Sequence, residues 1–242
     1  MKNYIIDLPG CLGDILFTLK IAEEFSKTGE VYWNVFPVFW NNGIDRVISS
    51  SNIGTNQSTY MEGAEVLKLR DLCPTYDSDL MVKKYQTAGI EWEDWSKYLK
   101  YKRDNDKENF LFESLNLKKG DPFILYNDNL GLDGKKHLGV KNTLPKDYDG
   151  KIIKMEVIPG FSIFDWCSIF EQSEQIHTVD TSLQYVIETL SIKTIDLVVH
   201  PRHYLYTKPQ VSKLFKKPWK WVEYDGFDKE SWSKISPSYD YS

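Results

Sequence analysis

The chain has 242 residues, which is enough for one large domain or two small ones. Hydrophobic residues make up 41% of it and charged residues 27%, as in ordinary globular proteins, and the formal net charge is −5. Lysine and arginine are scattered along the chain, which argues against a nucleic-acid partner. The chain begins with a strand pattern and has no apolar run near the ~20 residues of a membrane span. We therefore expect a cytoplasmic protein with no transmembrane segment.

Aromatic residues are numerous, with 8 Trp, 15 Tyr and 12 Phe. An aromatic-rich core would account for them, and so would a cleft that stacks sugars or bases on aromatic rings. The composition is compatible with both interpretations, and with a combination of the two.

A strand, a helix and a second strand are predicted at the start of the chain. Residues 4–8 form a short apolar run, and residues 14–28 carry apolar side chains at helical spacing. Gly29 lies where a glycine would end that helix, and residues 30–38 are rich in β-branched and aromatic types. This order predicts two parallel strands joined by a right-handed crossover.

The remaining pattern falls into two series, which Gly120-Asp121-Pro122 separates. The first series continues with a short helix at 43–50, a strand at 66–69, and helices at 80–89, 92–102 and 106–115. The second has strands at 123–126, 151–158, 175–179 and 194–200, and helices at 163–171, 181–190 and near 211–215. The prediction is a compact α/β fold of two Rossmann-like lobes facing a cleft. Residues 1–120 form the first lobe and residues 121–242 the second, with a tail that could pack back on the first.

The first motif is the turn between the first strand and its helix, Gly10-Cys11-Leu12-Gly13-Asp14. Its two glycines allow a sharp turn and the close approach of a ligand. The spacing is neither the dinucleotide-binding fingerprint nor a P-loop. Asp14 falls in the first turn of the helix, where it would either cap the helix or direct a carboxylate at a substrate as a general base.

The second motif opens another helix after a later strand, at Val179-Asp180-Thr181-Ser182. Capping this helix would occupy only one of the three polar side chains. Hydroxyl groups and free backbone N–H groups at a helix start can hold a phosphate group. The motif therefore predicts an anion site at the carboxyl end of that strand.

Together these motifs resemble those of the heptosyltransferase-like glycosyltransferases, which have the GT-B fold. The resemblance rests on Gly10-x-x-Gly13-Asp14-Ile15-Leu16-x-Thr18-Leu19 and on residues 162–190. It implies that Asp14, preceded by Gly13, deprotonates the acceptor hydroxyl. It also implies that Gly13 lies in the donor-binding site and that Asp180, Thr181 and Ser182 contact the diphosphate of the donor. Residues 1–120 then form the acceptor side and residues 121–242 the donor side.

Three charged residues are weaker candidates for donor binding. Lys135 lies in a basic loop where, by the resemblance, a lysine neutralises the leaving diphosphate. The alternative is that this loop is a solvated surface loop with no role in binding. Arg202 follows the strand at 194–200, where it contacts a phosphate or lies on the surface. Glu188, on the helix at 181–190, bonds a ribose hydroxyl or lies on a solvated helix face.

No metal site is predicted. Cys11, Cys73 and Cys167 are far apart and lack metal-ligand spacing. Asp77-Ser78-Asp79 matches an Asp-x-Asp metal motif by its letters, but it lies in a polar loop rather than after an apolar strand.

The resemblance thus implies a metal-independent glycosyltransferase without a cofactor. It would move a sugar from a nucleoside-diphosphate sugar to a hydroxyl of a glycan or similar acceptor. Two alternatives stay open at this level. One is a non-catalytic nucleotide- or sugar-binding α/β module, and the other is a Rossmann-type oxidoreductase, which the missing third glycine disfavours.

Overall fold

The computed structural model of the protein describes residues 2–8, 11–33, 35, 43–48, 54–55, 62–70, 72, 77–131, 135–194 and 196–236. Contacts divide the chain into two compact units, Met1–Arg103 and Asp104–Ser242. The sequence pattern predicts the boundary at residue 120, whereas the helix before that point belongs by its contacts to the second unit.

The first unit is built on a parallel sheet. Its described strands are β1 (Lys2–Asp7), β2 (Gly29–Trp33), β3 (Gly54–Thr55) and β4 (Glu65–Lys68), in the order β3-β2-β1-β4. Lys2 is paired in register with Gly29, and Tyr4 with Glu65. The predicted strand–helix–strand unit is therefore confirmed, and residues 36–38 of the predicted second strand lie outside the described residues.

Helix α1 (Leu12–Ser26) joins β1 to β2 and buries an apolar face that includes Ile15, Leu16 and Leu19. The other helices of this unit are α2 (Asp45–Ile48) and α3 (Leu80–Ala88). Gly89 ends α3 with a φ of 68°, a left-handed conformation that a glycine adopts without strain.

Two predictions in this unit are wrong for physical reasons. Gly29 does not end α1 but begins β2, where a side chain would stand 2.3 Å from the carbonyl oxygen of Lys2. Within 92–102 the structure has only a 3₁₀ turn at Trp95–Lys97. Lys20 holds that loop by donating to the carbonyl oxygen of Glu91 and to Asp94, both at 2.5 Å. Tertiary contacts therefore replace the helix that the local pattern predicts.

The second unit contains another parallel sheet. Its described strands are β5 (Phe123–Asn127), β6 (Lys151–Lys154), β7 (Gln175–Val179), β8 (Asp196–His200) and β9 (Trp219–Trp221), in the order β6-β5-β7-β8-β9. Its helices are α4 (Asn105–Ser114), α5 (Cys167–Gln172), α6 (Ser182–Thr189), α7 (Thr207–Val211) and α8 (Lys229–Ile235). Three 3₁₀ segments accompany them, at Leu138–Thr143, Ile163–Trp166 and Ser212–Leu214.

The sequence pattern predicts neither β9 nor α8, and the strand predicted at 151–158 ends four residues earlier, at Lys154. Ser162 and Asp165 form a reciprocal capping box at the start of the segment Ile163–Trp166. The described part of the tail packs within the second unit, where the ring of Trp232 lies 5.0 Å from that of Tyr224. None of the described helices has the length and apolar character needed to cross a membrane.

Candidate functional site

Each sheet has a topological switch point, which is the place between two strands from which the connections of the chain run in opposite directions. In the first sheet this point lies between β1 and β4, and in the second it lies between β5 and β7. Ligands of open α/β sheets bind outside the carboxyl ends of the strands at such points. Both predicted motifs follow strands that border these two points.

Polar side chains occupy the carboxyl edge of the first sheet. Asp7 ends β1 and is 7% exposed. The guanidinium group of Arg70, just after β4, meets both of its carboxylate oxygens, at 2.8 Å and 3.1 Å. This bidentate ion pair joins the ends of β1 and β4 at the sheet edge that precedes α1.

Asp14 stands in the first turn of α1 and contacts two other groups. Its Oδ2 accepts a hydrogen bond from the backbone N–H of Cys11 at 3.0 Å, within a capping box. Its Oδ1 accepts from the ammonium group of Lys84 on α3. The Asp14 side chain is 25% exposed, so solvent reaches the carboxylate. Capping is therefore present, and the arrangement also allows Asp14 to act as a base. Gly13 is the second residue of α1, and Gly10 lies outside the described residues.

Lys84 is absent from the residues that the sequence motifs predict for the site. Its side chain is 5% exposed, and it lies on the face of α3 that also buries Met81, Val82 and Tyr85. A lysine at a core-facing position of an amphipathic helix was the available signal, since such a residue is buried only with a partner.

The carboxyl edge of the second sheet combines amides, a carboxylate and two ammonium groups. The side-chain amide of Asn127 donates to the hydroxyl of Thr178 at 3.1 Å, which links the ends of β5 and β7. Asp128 follows β5 and is 4% exposed. The ammonium groups of Lys136 and Lys154 each lie 3.7 Å from its Oδ1. The sequence analysis named Lys135 in this loop and overlooked Lys154.

The turn between β7 and α6 has the character of an anion site. The backbone N–H of Asp180 donates to the carbonyl of His200 at 2.8 Å, and the side chain of Asp180 is buried. The hydroxyl of Thr181 is buried and has no hydrogen-bond partner among the described residues. The same holds for both amide atoms of Gln184, which is 0% exposed. Because buried polar atoms are rarely left unpaired, this turn is suited to a polar ligand or ordered water.

Arg202 lies beside the same turn. Its Nε and Nη2 donate to the carbonyl oxygen of Asp180 at 3.2 Å and 2.9 Å. The structure therefore brings together Asp180, Thr181, Ser182 and Arg202.

The structure does not bring Glu188 to this turn. Glu188 lies near the far end of α6, where its carboxylate accepts from the backbone N–H groups of Lys216 and Lys217. Burial raises the pKa of Glu188. Lys135 is exposed at the loop surface, and its carbonyl accepts from the N–H of Leu130.

The second unit contains a chain of polar groups in which three buried histidines meet two half-buried hydroxyl groups. The hydroxyl of Thr143 contacts Nδ1 of His177 at 2.9 Å and Nε2 of His200 at 3.0 Å. His200 Nδ1 lies 2.6 Å from the hydroxyl of Tyr224, and the ring of His137 stacks at a tilt 5.2 Å from that of His200. Burial lowers the pKa of His137 and of His177 to about 4, and that of His200 to about 3.

Across the described ranges, no three His, Cys, Asp or Glu side chains are grouped so that they could hold a metal ion. Asp77, part of the Asp-x-Asp letters, accepts from the backbone N–H of Asp79 at 2.8 Å and from the ammonium group of Lys83 at 2.6 Å. A local turn and an ion pair therefore occupy the Asp77 carboxylate.

The sequence matches no protein-family model, and no curated protein matches it. Its structure is similar to a glycosyl transferase family 9 protein from Veillonella parvula DSM 2008, with a TM-score of 0.54 and 10% identity over 96% of this chain and 90% of that one. It is also similar to the iron-containing dodecameric glycosyltransferase TibC from enterotoxigenic E. coli H10407, with a TM-score of 0.53 and 10% identity. That second match covers 94% of this chain but 63% of TibC. These likenesses confirm the predicted α/β fold class.

Proposed function

We propose that the protein is a glycosyltransferase that moves a sugar from a nucleoside-diphosphate sugar to a hydroxyl group of a glycan or similar acceptor, without a metal ion or cofactor. The observation that carries the proposal is the turn between β7 and α6 at the switch point of a parallel sheet, where the buried Thr181 hydroxyl has no hydrogen-bond partner within the described ranges. The likeness in fold to two glycosyltransferases supports it.

In this proposal the second unit holds the donor. The diphosphate lies at the amino end of α6, where backbone N–H groups and the Thr181 and Ser182 hydroxyls donate to its oxygens. Lys136 and Lys154 stand at the same sheet edge and supply positive charge as the diphosphate leaves. These ammonium groups compensate the negative charge of the leaving diphosphate, as a divalent metal ion does in other transferases.

The first unit supplies the base. Asp14 accepts the proton of the acceptor hydroxyl while the oxygen forms a bond to the anomeric carbon of the sugar. The bond from that carbon to the diphosphate oxygen breaks, and its electron pair leaves with the diphosphate. The 25% exposure of the Asp14 side chain gives the substrate access to the carboxylate.

Ligand screening is the first test. Thermal shifts are measured with ADP, GDP, UDP, CMP and NAD, with and without EDTA. We expect a nucleoside diphosphate to raise the melting temperature, and EDTA to leave that rise unchanged. Stabilisation by NAD alone would favour the oxidoreductase, and nucleotide binding with no turnover of any donor sugar would favour the non-catalytic module.

Two variants separate the roles of the two units. Asp14→Ala should lower kcat for release of nucleoside diphosphate from a hexose donor about 10²-fold or more, since a general base contributes that much. It should leave nucleotide affinity unchanged. Thr181→Val should weaken nucleotide binding about tenfold through loss of a hydrogen bond to phosphate. Glu23→Ala, which removes another carboxylate of α1, is the control. Full activity of Asp14→Ala would remove the base assignment.

A further inference from the structure

Lys84 is a buried lysine whose burial has a cost. The whole residue is 4% exposed, and its ammonium group contacts Asp14 Oδ1 and, at 3.0 Å, the sulfur of Met81. Removing an ammonium group from water is unfavourable by several kcal/mol unless an opposite charge compensates it. Within the described chain, Asp14 is the only carboxylate that forms an ion pair with Lys84. The burial of the Lys84 ammonium group therefore depends on its ion pair with Asp14.

The two donors to Asp14 come from different parts of the chain. The N–H of Cys11 donates to Oδ2 from within the same helical turn, whereas Lys84 donates to Oδ1 from a position 70 residues away. Helix capping needs only the first of these contacts. The second restricts rotation of the carboxylate and holds it in one plane. Each carboxylate oxygen still has a further lone pair, and the side chain is 25% exposed.

We propose that Lys84 is a positioning residue, which holds the Asp14 carboxylate in the orientation that receives the acceptor proton. This rests on the proposed function, because it assigns Lys84 to the same reaction step. In that step the acceptor O–H bond breaks and its proton passes to a lone pair of Asp14, while Lys84 keeps all of its own protons. A fixed orientation of the base is worth a large part of its catalytic effect.

The same unit contains a matched control. Lys20 is 7% exposed and also pairs with an aspartate, Asp94, but it does not contact Asp14. Its role is to hold the loop that precedes Trp95. Lys84→Met and Lys20→Met each remove one buried ammonium group while keeping most of the side-chain volume. Only the first should affect Asp14.

The first experiment needs no substrate. Amide hydrogen exchange at Cys11 is measured by NMR in the wild type, Lys84→Met and Lys20→Met. When Lys84 no longer holds the carboxylate, Asp14 turns toward water and its bond to the Cys11 N–H weakens. We expect exchange at Cys11 to become about tenfold faster in Lys84→Met, in line with the loss of one charge-assisted hydrogen bond. Lys20→Met should exchange as the wild type does.

The second experiment measures catalysis with the UDP-, GDP- or ADP-hexose that the wild type hydrolyses fastest. Lys84→Met should lower kcat about 10²-fold with KM for the donor unchanged, as expected for loss of an oriented base. Lys84→Arg, which keeps the charge, should recover much of that loss. If Lys84 had only a structural role, Lys84→Met would lower the stability of the protein without lowering kcat selectively at an unchanged KM.

The outcomes are distinguishable. Unchanged exchange at Cys11, or faster exchange with an unchanged kcat, would overturn the role of Lys84. If Lys84→Met does not fold, Lys84→Gln is used for both measurements, since it keeps a polar group in the buried position. If the wild type turns over none of these donors, the proposed glycosyltransferase function fails. The exchange measurement still decides whether Lys84 orients Asp14.

Discussion

Glu108 shows how one buried side chain assigns a helix to a unit. The residue is 0% exposed, and its carboxylate accepts from the backbone N–H of Ser168 at 3.1 Å and from the Ser168 hydroxyl at 2.6 Å. Phe112, on the same helix α4, meets Phe123 of β5 edge to face at 6.2 Å. These contacts explain why α4 belongs with the second unit, although the Gly-Asp-Pro turn after it reads as a boundary.

Glu108→Ala should destabilise the protein by about 2–4 kcal/mol, because it removes the buried carboxylate that accepts from the backbone N–H and the hydroxyl of Ser168. Asp106→Ala, two residues earlier and exposed, should change stability by less than about 0.5 kcal/mol. Urea unfolding at pH 7 provides the comparison. Equal losses in the two variants would show that the Glu108 contact contributes little.

At the scale of elements, α8 shows the limit of local patterns. It has seven residues, and Asp228 caps it by accepting from the N–H of Ser231 at 2.8 Å. Only Trp232 among its residues is buried, at 2% exposure. Its ring lies 5.5 Å from that of His137 and 5.0 Å from that of Tyr224. A helix this short is stable only through such packing, so its sequence carries little signal.

Trp232→Ala should cost about 3–5 kcal/mol, as truncation of a buried aromatic side chain usually does. It should also raise the protease sensitivity of the segment after residue 228. Ser233→Ala, the exposed neighbour on the same helix, serves as the control and should behave as the wild type in both assays. Limited proteolysis with mass spectrometry and thermal unfolding measure these effects, and an intact, stable Trp232→Ala protein would contradict the role given to α8.

At the scale of the whole molecule, the buried histidines make stability depend on pH. Desolvation by burial depresses the pKa of His137, His177 and His200 to about 4, 4 and 3, whereas an unfolded histidine has a pKa near 6.5. Opposing effects are smaller. Asp128 acts on His137 and Asp196 on His177, each favouring the charged form.

A depressed folded-state pKa means that the unfolded chain binds protons first as the pH falls. The stabilising contribution of these histidines is therefore complete above about pH 6.5. As the pH falls it is lost down to about pH 4 for His137 and His177 and down to about pH 3 for His200. Within that range each histidine lowers the free energy of unfolding by at most about 1.4 kcal/mol for each unit by which the pH falls. Urea unfolding from pH 7.5 to pH 4.5 measures the slope.

His137→Phe removes one of the three groups and keeps an aromatic ring in place. As the pH falls, the free energy of unfolding of this variant should decrease less steeply than that of the wild type. The slope should be about one third smaller, since one of three comparable contributions is gone. A wild-type stability that stays flat below pH 6.5 would contradict the proposed effect of the histidine cluster.

The sequence by itself determined the α/β class, most of the strands and helices, and the residue types at both motifs. Hydrophobic periodicity and capping signals depend on neighbours within a few positions, so they can be read without the fold. In this way the sequence placed Asp14 in the first turn of a helix. It also indicated the polar turn Asp180-Thr181-Ser182.

Only the tertiary structure decided which distant residues meet. The pairing of Asp14 with Lys84, of Glu108 with Ser168, and of Thr143 with two histidines joins residues 34 to 70 positions apart. Such contacts depend on how strands are ordered and how helices pack on them, and one local pattern is compatible with many such arrangements. The same physics turned the predicted helix at 92–102 into a loop held by Lys20, because the two contacts of this buried ammonium group outweigh a weak local preference.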